Sequence, residues 1–396
     1  MTPASRDVDG RSSRGTGDAR PKVVIVAPRV PHYRRRFYEL LRDRLDEKGI
    51  DFVLVYGHSV GEHVGKMDDI DVPWGLYVPA RSISVRDKEL LWQPAFGAVR
   101  DADLVIVMQA ARYLPTYVHL LRQALGGPRF AFWGHGKNFQ GARAWAAAEG
   151  IKRTLSRMVH WWFAYNHLSA QVVIGLGVPG DRVTVVQNSI DTRALARAAE
   201  RTSSRELERL RRSMALKGDH VGLFCGSLYP EKRLDLLVSA AERIRSRVPD
   251  FELIVLGAGR DSSIVEQAAA RYEWIHYVGP KFDDDRVPYF LISDVFLLPG
   301  LAGLAVLDSF ALELPMAVSA SGQHSPEIDY VKDGHNGLIV DDGGDPDRYA
   351  DHVVDLLSDD QLRSRIREGC AASRTEYTIE NMAERFTGGV MEALRR

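Results

Sequence analysis

The fold is decided by residues 220–244, which read HVGLFCGSLYPEKRLDLLVSAAERI. The apolar run from His220 to Gly226 predicts a buried strand, and the turn that follows contains Pro230. From Leu234 onward the apolar residues recur at helical spacing, which predicts an amphipathic helix. A strand that turns directly into a helix is the unit from which parallel α/β sheets are built.

The same alternation extends along the chain in both directions. Strands are predicted to begin at Lys22, Asp51, Asp103, Arg129 and Arg182 in the first half, and at His220, Phe251, Trp274, Asp294, Met316 and Gly337 in the second. Two such sets predict two doubly wound, Rossmann-like domains with helices on both faces of each sheet. Ligands bind at the carboxyl ends of such strands, and we expect those ends to face a central cleft between the domains.

The pattern also predicts the domain boundaries. We expect a disordered polar tail at residues 1–20, an N-terminal domain at 21–190, a linker at 191–205 and a C-terminal domain at 206–378. A final helix occupies residues 379–396, and its pattern leaves open whether it packs on its own domain or back on the N-terminal one.

Charge is distributed unevenly along the 396 residues, although the net charge is only −1. Residues 1–200 hold 28 Lys and Arg against 20 Asp and Glu, whereas residues 201–396 hold 24 against 33. The basic half is consistent with an anionic partner such as a phospholipid surface. An ordinary arginine-rich composition with solvated charges explains it equally well. The near-zero total gives no reason to expect a nucleic-acid partner.

Composition excludes several other classes. The two cysteines, Cys225 and Cys370, make neither a disulfide framework nor a metal cluster. No apolar stretch approaches the roughly 20 residues that span a bilayer, and residues 1–20 lack the apolar core of a signal peptide. We therefore expect a cytoplasmic protein, with peripheral contact at the inner face of the membrane as the alternative.

The turn of the first segment carries two adjacent cations. Lys232 and Arg233 precede the helix that begins near Leu234, where free N–H groups and the helix dipole favour an anion. Two cations at that place fit a diphosphate, because Arg grips phosphate oxygens with two N–H groups and Lys acts as a point charge. The alternative is a solvated Lys-Arg pair on a surface turn.

A second segment, residues 297–340, combines a glycine-rich loop with carboxylates. Gly300 and Gly303 would let the backbone approach a ligand closely. Asp308, one turn into the following helix, suits a ribose diol because a carboxylate accepts from both hydroxyls; the alternative is a solvent-facing helix residue. Glu327 would bind the sugar or a group near the phosphates, or cap the helix at 326–331.

Taken in order, these motifs resemble glycosyltransferase family 4. They are Gly-x-Leu-x-Pro-Glu-Lys at 226–232, Leu-Gly-x-Gly at 256–259, Leu-Pro-Gly-x-x-Gly-Leu-x-x-Leu-Asp-Ser-Phe-Ala at 298–311, and Pro-Glu-Ile followed by Gly-x-Asn-Gly-Leu-Ile-Val. The resemblance implies the GT-B fold, a retaining reaction, no metal, and no cofactor other than a nucleoside diphosphate sugar as co-substrate. The residues it assigns to the donor are Gly226, Ser227, Lys232, Arg233, Gly257, Gly300, Gly303, Leu304, Asp308 and Glu327.

The sequence departs from the family pattern at the donor site. The family usually has an arginine after the first glycine, where this chain has Ser227, so Arg233 would supply the second charge. The family's two glutamates, seven residues apart, are replaced by Gly300 and Asp308. The carboxylate missing at Gly300 would have touched the donor sugar, and backbone N–H groups at 300–303 would replace part of that contact. Glu313 is a further departure, because the family has a small residue there.

The N-terminal half matches the family less closely. The loop and helix start at 27–41 resembles the Pro-x-Tyr-Arg-x-x-Phe loops of some members and implies an acceptor site. Its residues would be His32, Tyr33, Arg34 and Arg36, with solvated helix charges as the alternative. His135, between two glycines after a predicted strand, resembles the histidine that lies near the reacting sugar. Residues 151–165 form a basic and aromatic amphipathic segment, which would contact a membrane or pack in the core.

The sequence therefore predicts a retaining hexosyltransferase of polysaccharide or glycoconjugate synthesis, which uses a UDP- or GDP-sugar and a glycan, lipid-linked or other hydroxyl acceptor. His135, Lys232 and Arg233 are the candidate catalytic residues. Two alternatives remain, a nucleotide-sugar epimerase of the same fold and a non-catalytic nucleotide-sugar binder.

Overall fold

The computed structural model describes residues 20–61, 68–85, 88–136 and 154–396. Residues 1–19 of the predicted tail lie outside this part of the chain, as do Lys152 and Arg153 of the predicted amphipathic segment.

The N-terminal domain is built on a parallel sheet of seven strands, in the order β3-β2-β1-β6-β7-β8-β9. Two further strands, β4 and β5, pair as a separate antiparallel hairpin. The strands are β1 (Lys22–Ala27), β2 (Asp51–Tyr56), β3 (Leu76–Tyr77), β4 (Arg81–Val85), β5 (Lys88–Trp92), β6 (Leu104–Met108), β7 (Arg129–Gly134), β8 (Trp161–Ala164) and β9 (Val183–Val185). The helices that lie wholly within the described part of this domain are α1 (Arg35–Glu47), α2 (Pro115–Ala124) and α3 (His167–Gly175).

The C-terminal domain is built on a parallel sheet of six strands, in the order β12-β11-β10-β13-β14-β15. Its strands are β10 (His220–Cys225), β11 (Phe251–Leu256), β12 (Ile275–Gly279), β13 (Val295–Leu298), β14 (Met316–Ser319) and β15 (Leu338–Val340). The helices of the second half are α4 (Thr192–Arg201), α5 (Ser204–Ser213), α6 (Leu234–Arg247), α7 (Ser262–Arg271), α8 (Val287–Leu291), α9 (Ala305–Leu312), α10 (Pro346–Ser358), α11 (Asp360–Glu376) and α12 (Ile379–Arg395).

Both sheets reverse their strand order beside their first strand. In the N-terminal sheet β1 lies between β2 and β6, and in the C-terminal sheet β10 lies between β11 and β13. Helices on either side of such a point diverge and leave a crevice at the carboxyl ends of the strands, where ligands of doubly wound sheets bind. The loops after β10 and β13, which contain the predicted donor residues, therefore meet at the crevice of the C-terminal sheet.

The chain crosses between the domains twice. The predicted linker is displaced, because α4 packs against α9 and buries Leu195 and Ala198 in the C-terminal core. Residues 191–205 thus belong to the C-terminal domain, and the first crossing lies just before them, after β9. The second crossing precedes α12, which packs against α1 and places Phe386 in the N-terminal core.

The predicted amphipathic segment at 151–165 divides into different elements. Residues 154–158 are helical, but residues 161–164 form β8, whose side chains are all buried. Trp162 is fully buried, and the backbone of β8 pairs with both β7 and β9. The prediction of one amphipathic segment at 151–165 is therefore wrong at its aromatic end, because residues 161–164 form an internal strand of the sheet.

One aromatic side chain of α12, that of Phe386, packs deep in the N-terminal core. Phe386 stacks on Phe163 with ring centroids 4.2 Å apart and also contacts Phe37 and Trp133. Since truncation of a buried Phe leaves a cavity, we expect Phe386→Ala to lower the free energy of unfolding by about 3–5 kcal/mol. The measurement is urea denaturation followed by tryptophan fluorescence, with Met391→Ala, a half-buried position of the same helix, as the control. Equal losses in the two variants would contradict this account of the packing.

Candidate donor site

Two loops at the carboxyl ends of β10 and β13 are joined by a pair of hydrogen bonds. The backbone N–H of Leu301 donates to the carbonyl of Glu231 at 2.7 Å, and Nζ of Lys232 donates to the carbonyl of Leu301 at 2.6 Å. Lys232 closes a 3-10 turn at Pro230–Lys232, immediately before α6. The predicted cation and the predicted glycine-rich loop are therefore in direct contact.

Gly300 is fixed by this contact. A Cβ at Gly300 would lie 2.4 Å from the carbonyl oxygen of Glu231 and 2.4 Å from the carbonyl carbon of Lys232. Both atoms are backbone, so no rotamer change could relieve the overlap. The glutamate that the family resemblance places here cannot fit while the loops are packed in this way, which gives the departure at Gly300 a steric reason.

Lys232 is buried rather than solvated. Its exposed fraction is 7%, and burial lowers the pKa of its amine to about 8. Nζ lies 3.9 Å from the position of a Cβ on Gly226 and 5.5 Å from the ring centroid of Tyr229. Because of this burial, the surface-turn alternative is wrong for Lys232. Among the described residues its ammonium donates to one carbonyl, which leaves two donors for an anion.

Arg233 points away from its neighbour. Its backbone adopts a left-handed conformation (φ 53°) at the N-cap of α6, and its guanidinium lies 3.2 Å from Oγ of Ser321 and 3.4 Å from the carbonyl of Gly344. The two cations, adjacent in sequence, therefore serve different loops.

Asp308 lies in α9 and is buried, with 4% of its surface exposed. The solvent-facing alternative is therefore wrong. Oδ1 lies 2.9 Å from Nη2 of Arg286, a residue that sequence reasoning missed. Burial raises the pKa of Asp308, and the charge of Arg286 offsets part of this effect.

The remaining predicted donor residues surround these loops. Gly257 has φ 143°, and a Cβ there would lie 1.9 Å from the carbonyl oxygen of Gly226, so the loops after β10 and β11 are packed backbone to backbone. Ser227 is exposed, whereas Gly303 and Leu304 are half-buried at the start of α9.

Glu327 and Arg34, predicted for the donor and acceptor sites, are linked through Asn188 where the two domains meet. Nη2 of Arg34 donates to Oδ1 of Asn188, and Nδ2 of Asn188 donates to Oε1 of Glu327 at 2.6 Å. Arg34 is 4% exposed and Glu327 3%. Burial raises the pKa of Glu327, and the bond from Asn188 and the charge of Arg34 oppose that shift. Solvated helix charge is therefore the wrong interpretation of Arg34.

His135 lies next to this network. Its ring is 4.1 Å from the ring of Tyr165, edge to face. Burial, with a contribution from the charge of Arg34, lowers the pKa of His135 to about 4. At neutral pH the imidazole is therefore uncharged, so that it can donate one hydrogen bond and accept another but cannot serve as a cationic acid.

The other three predicted acceptor residues have different surroundings. The side chain of His32 contacts the C-terminal domain. Its Nε2 lies 3.5 Å from Oδ1 of Asp283, and its ring contacts the ring of Phe282. Tyr33 packs against the C-terminal core. Arg36 is exposed on α1 and lies 3.7 Å from Glu39.

No group of three or more His, Cys, Asp or Glu side chains in the described part of the chain is arranged to hold a metal ion. None of the described helices has both the length and the apolar character needed to cross a membrane.

Comparison with known proteins places a family match over this site. Residues 219–359 match the family model "Glycosyl transferases group 1". The chain is 29% identical over 227 residues to the D-inositol 3-phosphate glycosyltransferase of Salinispora arenicola, covering 53% of this chain and 49% of the relative. It is 27% identical over 176 residues to the GDP-mannose-dependent monoacylated alpha-(1-6)-phosphatidylinositol monomannoside mannosyltransferase of Corynebacterium glutamicum, covering 41% of this chain and 45% of the relative. The chain thus spans about half the length of the curated relatives it matches.

The fold is shared over nearly the whole chain. The Anabaena protein Alr3699/HepE, solved in complex with UDP, superposes with a TM-score of 0.68 at 12% sequence identity, covering 94% of this chain and 99% of that one. This likeness, together with the two doubly wound sheets, confirms the expected GT-B fold.

The packing at Gly300 generates a stability prediction. Since an added methyl group must push two backbone segments apart, we expect Gly300→Ala to lower the free energy of unfolding by about 1–3 kcal/mol. The control is Gly303→Ala, where the nearest atom is Oγ of Ser325 at 3.4 Å and the expected loss is under about 1 kcal/mol. Denaturant titration of both variants checks this, and a Gly300→Ala protein as stable as the control would contradict the steric argument.

Proposed function

We propose that this chain, with its glycosyltransferase group 1 segment in a GT-B fold, transfers a hexosyl group from a nucleoside diphosphate sugar to a hydroxyl acceptor and retains the anomeric configuration. The observation that carries the proposal is the buried ammonium of Lys232 at the carboxyl end of β10. A cation held at the crevice of a doubly wound sheet is suited to the diphosphate of a nucleotide.

The chemistry assigned to the site is a substitution at the anomeric carbon. The bond from C1 to the diphosphate oxygen breaks, and the bond from C1 to the acceptor oxygen forms on the same face of the sugar. Lys232 stabilises the negative charge that develops on the leaving diphosphate. The acceptor's proton goes to a diphosphate oxygen, as the family resemblance implies, so no separate strong base is required. Asp308 accepts from the ribose hydroxyls through the oxygen that does not face Arg286.

Donor and acceptor are proposed by class. A relative named as GDP-mannose-dependent and a structural neighbour solved with UDP both support a nucleoside diphosphate donor, with uracil and guanine as the two bases to test. Relatives named for inositol phosphate and phosphatidylinositol acceptors support a glycan or lipid-linked hydroxyl acceptor. His135, uncharged at neutral pH, positions the donor sugar or shapes the acceptor subsite, and no step is assigned to a metal.

The pKa of Lys232 generates a pH prediction. Its ordinary value of 10.5 falls to about 8 in the folded protein. Because an anion needs the protonated amine, we expect the affinity for UDP or GDP to fall as the pH rises from about 7 to about 9. The free energy of unfolding of the ligand-free protein should instead rise as the pH increases above about 8. The reason is that the unfolded state then holds more protons than the folded state.

Isothermal titration calorimetry with UDP and GDP measures the affinity. Lys232→Arg is the control, because a guanidinium stays charged and its affinity should not vary over this range. Lys232→Ala should weaken binding at every pH. The assignment of Lys232 to the diphosphate would be contradicted if the affinity of the wild type for both nucleotides did not vary with pH. It would also be contradicted if Lys232→Ala bound both nucleotides as tightly as the wild type.

The type of reaction is tested separately. A panel of UDP- and GDP-sugars is first screened by thermal shift, because a true donor stabilises the native state according to its saturation. With that donor, release of UDP or GDP that depends on added acceptor supports transfer, and we expect it to persist in excess EDTA. Inversion at C2 of the sugar would indicate the epimerase instead, and tight binding without turnover the non-catalytic binder. Loss of activity in EDTA would contradict the metal-free reaction.

A further inference from the structure

The donor site proposed above has one cation fewer than a diphosphate calls for. Ser227 stands where the resemblance expects an arginine, and Arg233 is turned toward Ser321 and Gly344. Lys232 then faces a diphosphate alone, and its own pKa is lowered by burial. A second positive charge from elsewhere in the fold would complete the site.

Arg286 reaches the same place from another loop. It ends the 3-10 turn Asp283–Arg286, whose first residue faces His32 across the cleft. The charge of its guanidinium acts on the buried thiol of Cys225, where it opposes the rise in pKa caused by burial, and Nη2 lies 2.9 Å from Oδ1 of Asp308. Cys225 is the last residue of β10, directly before the loop that contains Lys232. The side chain therefore extends from the mouth of the cleft to the crevice of the sheet.

The guanidinium retains unused donors. Nε of Arg286 is buried and has no hydrogen-bond partner among the described residues. Oδ1 of Asp308 is at ion-pair distance but outside hydrogen-bond geometry. A buried N–H without a hydrogen-bond partner costs free energy. The unpaired N–H of Arg286 therefore indicates a polar ligand that accepts from it when bound. Guanidinium donors match phosphate oxygens in pairs.

We propose that Arg286 is the second cation of the donor diphosphate site, and that Asp308 is the positioning residue that holds it there. The proposal rests on the proposed function, since it assigns a residue to the same donor. Its rival is an ion pair that only fastens the turn at 283–286 to α9. The two roles predict different results when Arg286 is replaced. If Arg286 binds the diphosphate, its loss reduces the preference for a nucleoside diphosphate over the monophosphate, whereas the loss of a purely structural ion pair leaves that preference unchanged.

The test measures the affinities of the full chain for UDP, UMP, GDP and GMP by calorimetry. We expect Arg286→Gln to weaken binding of the preferred diphosphate by about ten- to a hundredfold and that of its monophosphate much less. Arg286→Lys should restore part of the loss, because it keeps the charge without the fork of donors. Asp308→Asn should reduce the same preference, because it leaves Arg286 unanchored.

The matched control is Arg247→Gln. It breaks an ion pair between the last residue of α6 and Asp351 of α10, and it should leave all four affinities unchanged. An Arg286→Gln protein with an unaltered diphosphate preference would overturn the inference, and if that variant does not fold, the same result in Arg286→Met, which also removes the charge, would do so. In that case a loss of binding in Lys232→Ala would leave the proposed function standing. A wild-type protein that binds neither UDP nor GDP would contradict both.

Discussion

The hydrogen bond from Lys232 to the carbonyl of Leu301 is the contact on which the site depends. It joins the loops after β10 and β13, the two strands that flank the crevice of the C-terminal sheet. Its formation brings the backbone of residues 231–232 against Gly300, which excludes any side chain there. It also buries the ammonium and so lowers its pKa. The glycine at position 300, the burial of Lys232 and the lowered pKa of its amine thus all belong to the close approach of these two loops.

The second constraint lies where the domains meet. A cation from the N-terminal domain, Arg34, is linked through the amide of Asn188 to a carboxylate of the C-terminal domain, Glu327. Both side chains are buried, and the amide of Asn188 bonds each of them, while the guanidinium of Arg34 also lies 5.0 Å from the ring centroid of Trp133. Tyr330 donates to the carbonyl of Asn188 at 3.1 Å, and Nδ2 of Asn166 donates to the carbonyl of Pro326. The segment before α4 is therefore held by both domains, and the cleft between them has a defined geometry.

Periodicity was sufficient to predict the two doubly wound sheets and the loop of Lys232, because strand–helix alternation and glycine turns are local signals. It failed where tertiary contact overrides composition. The charged sequence of α4 suggested a linker, yet Leu195 and Ala198 make it part of the core. The aromatic residues of β8, which follow basic ones, suggested one amphipathic segment at 151–165, yet they form an internal strand. Arg286 follows three aspartates, which is typical of a solvated turn, and only folding brings it to Asp308.

The account is tested most directly by a crystal structure of the chain with UDP or GDP. It predicts the diphosphate within hydrogen-bond distance of Nζ of Lys232, over Gly226, with Gly300 still packed on the turn that precedes α6. A diphosphate bound elsewhere, with the amine of Lys232 bonded only to Leu301, would contradict it.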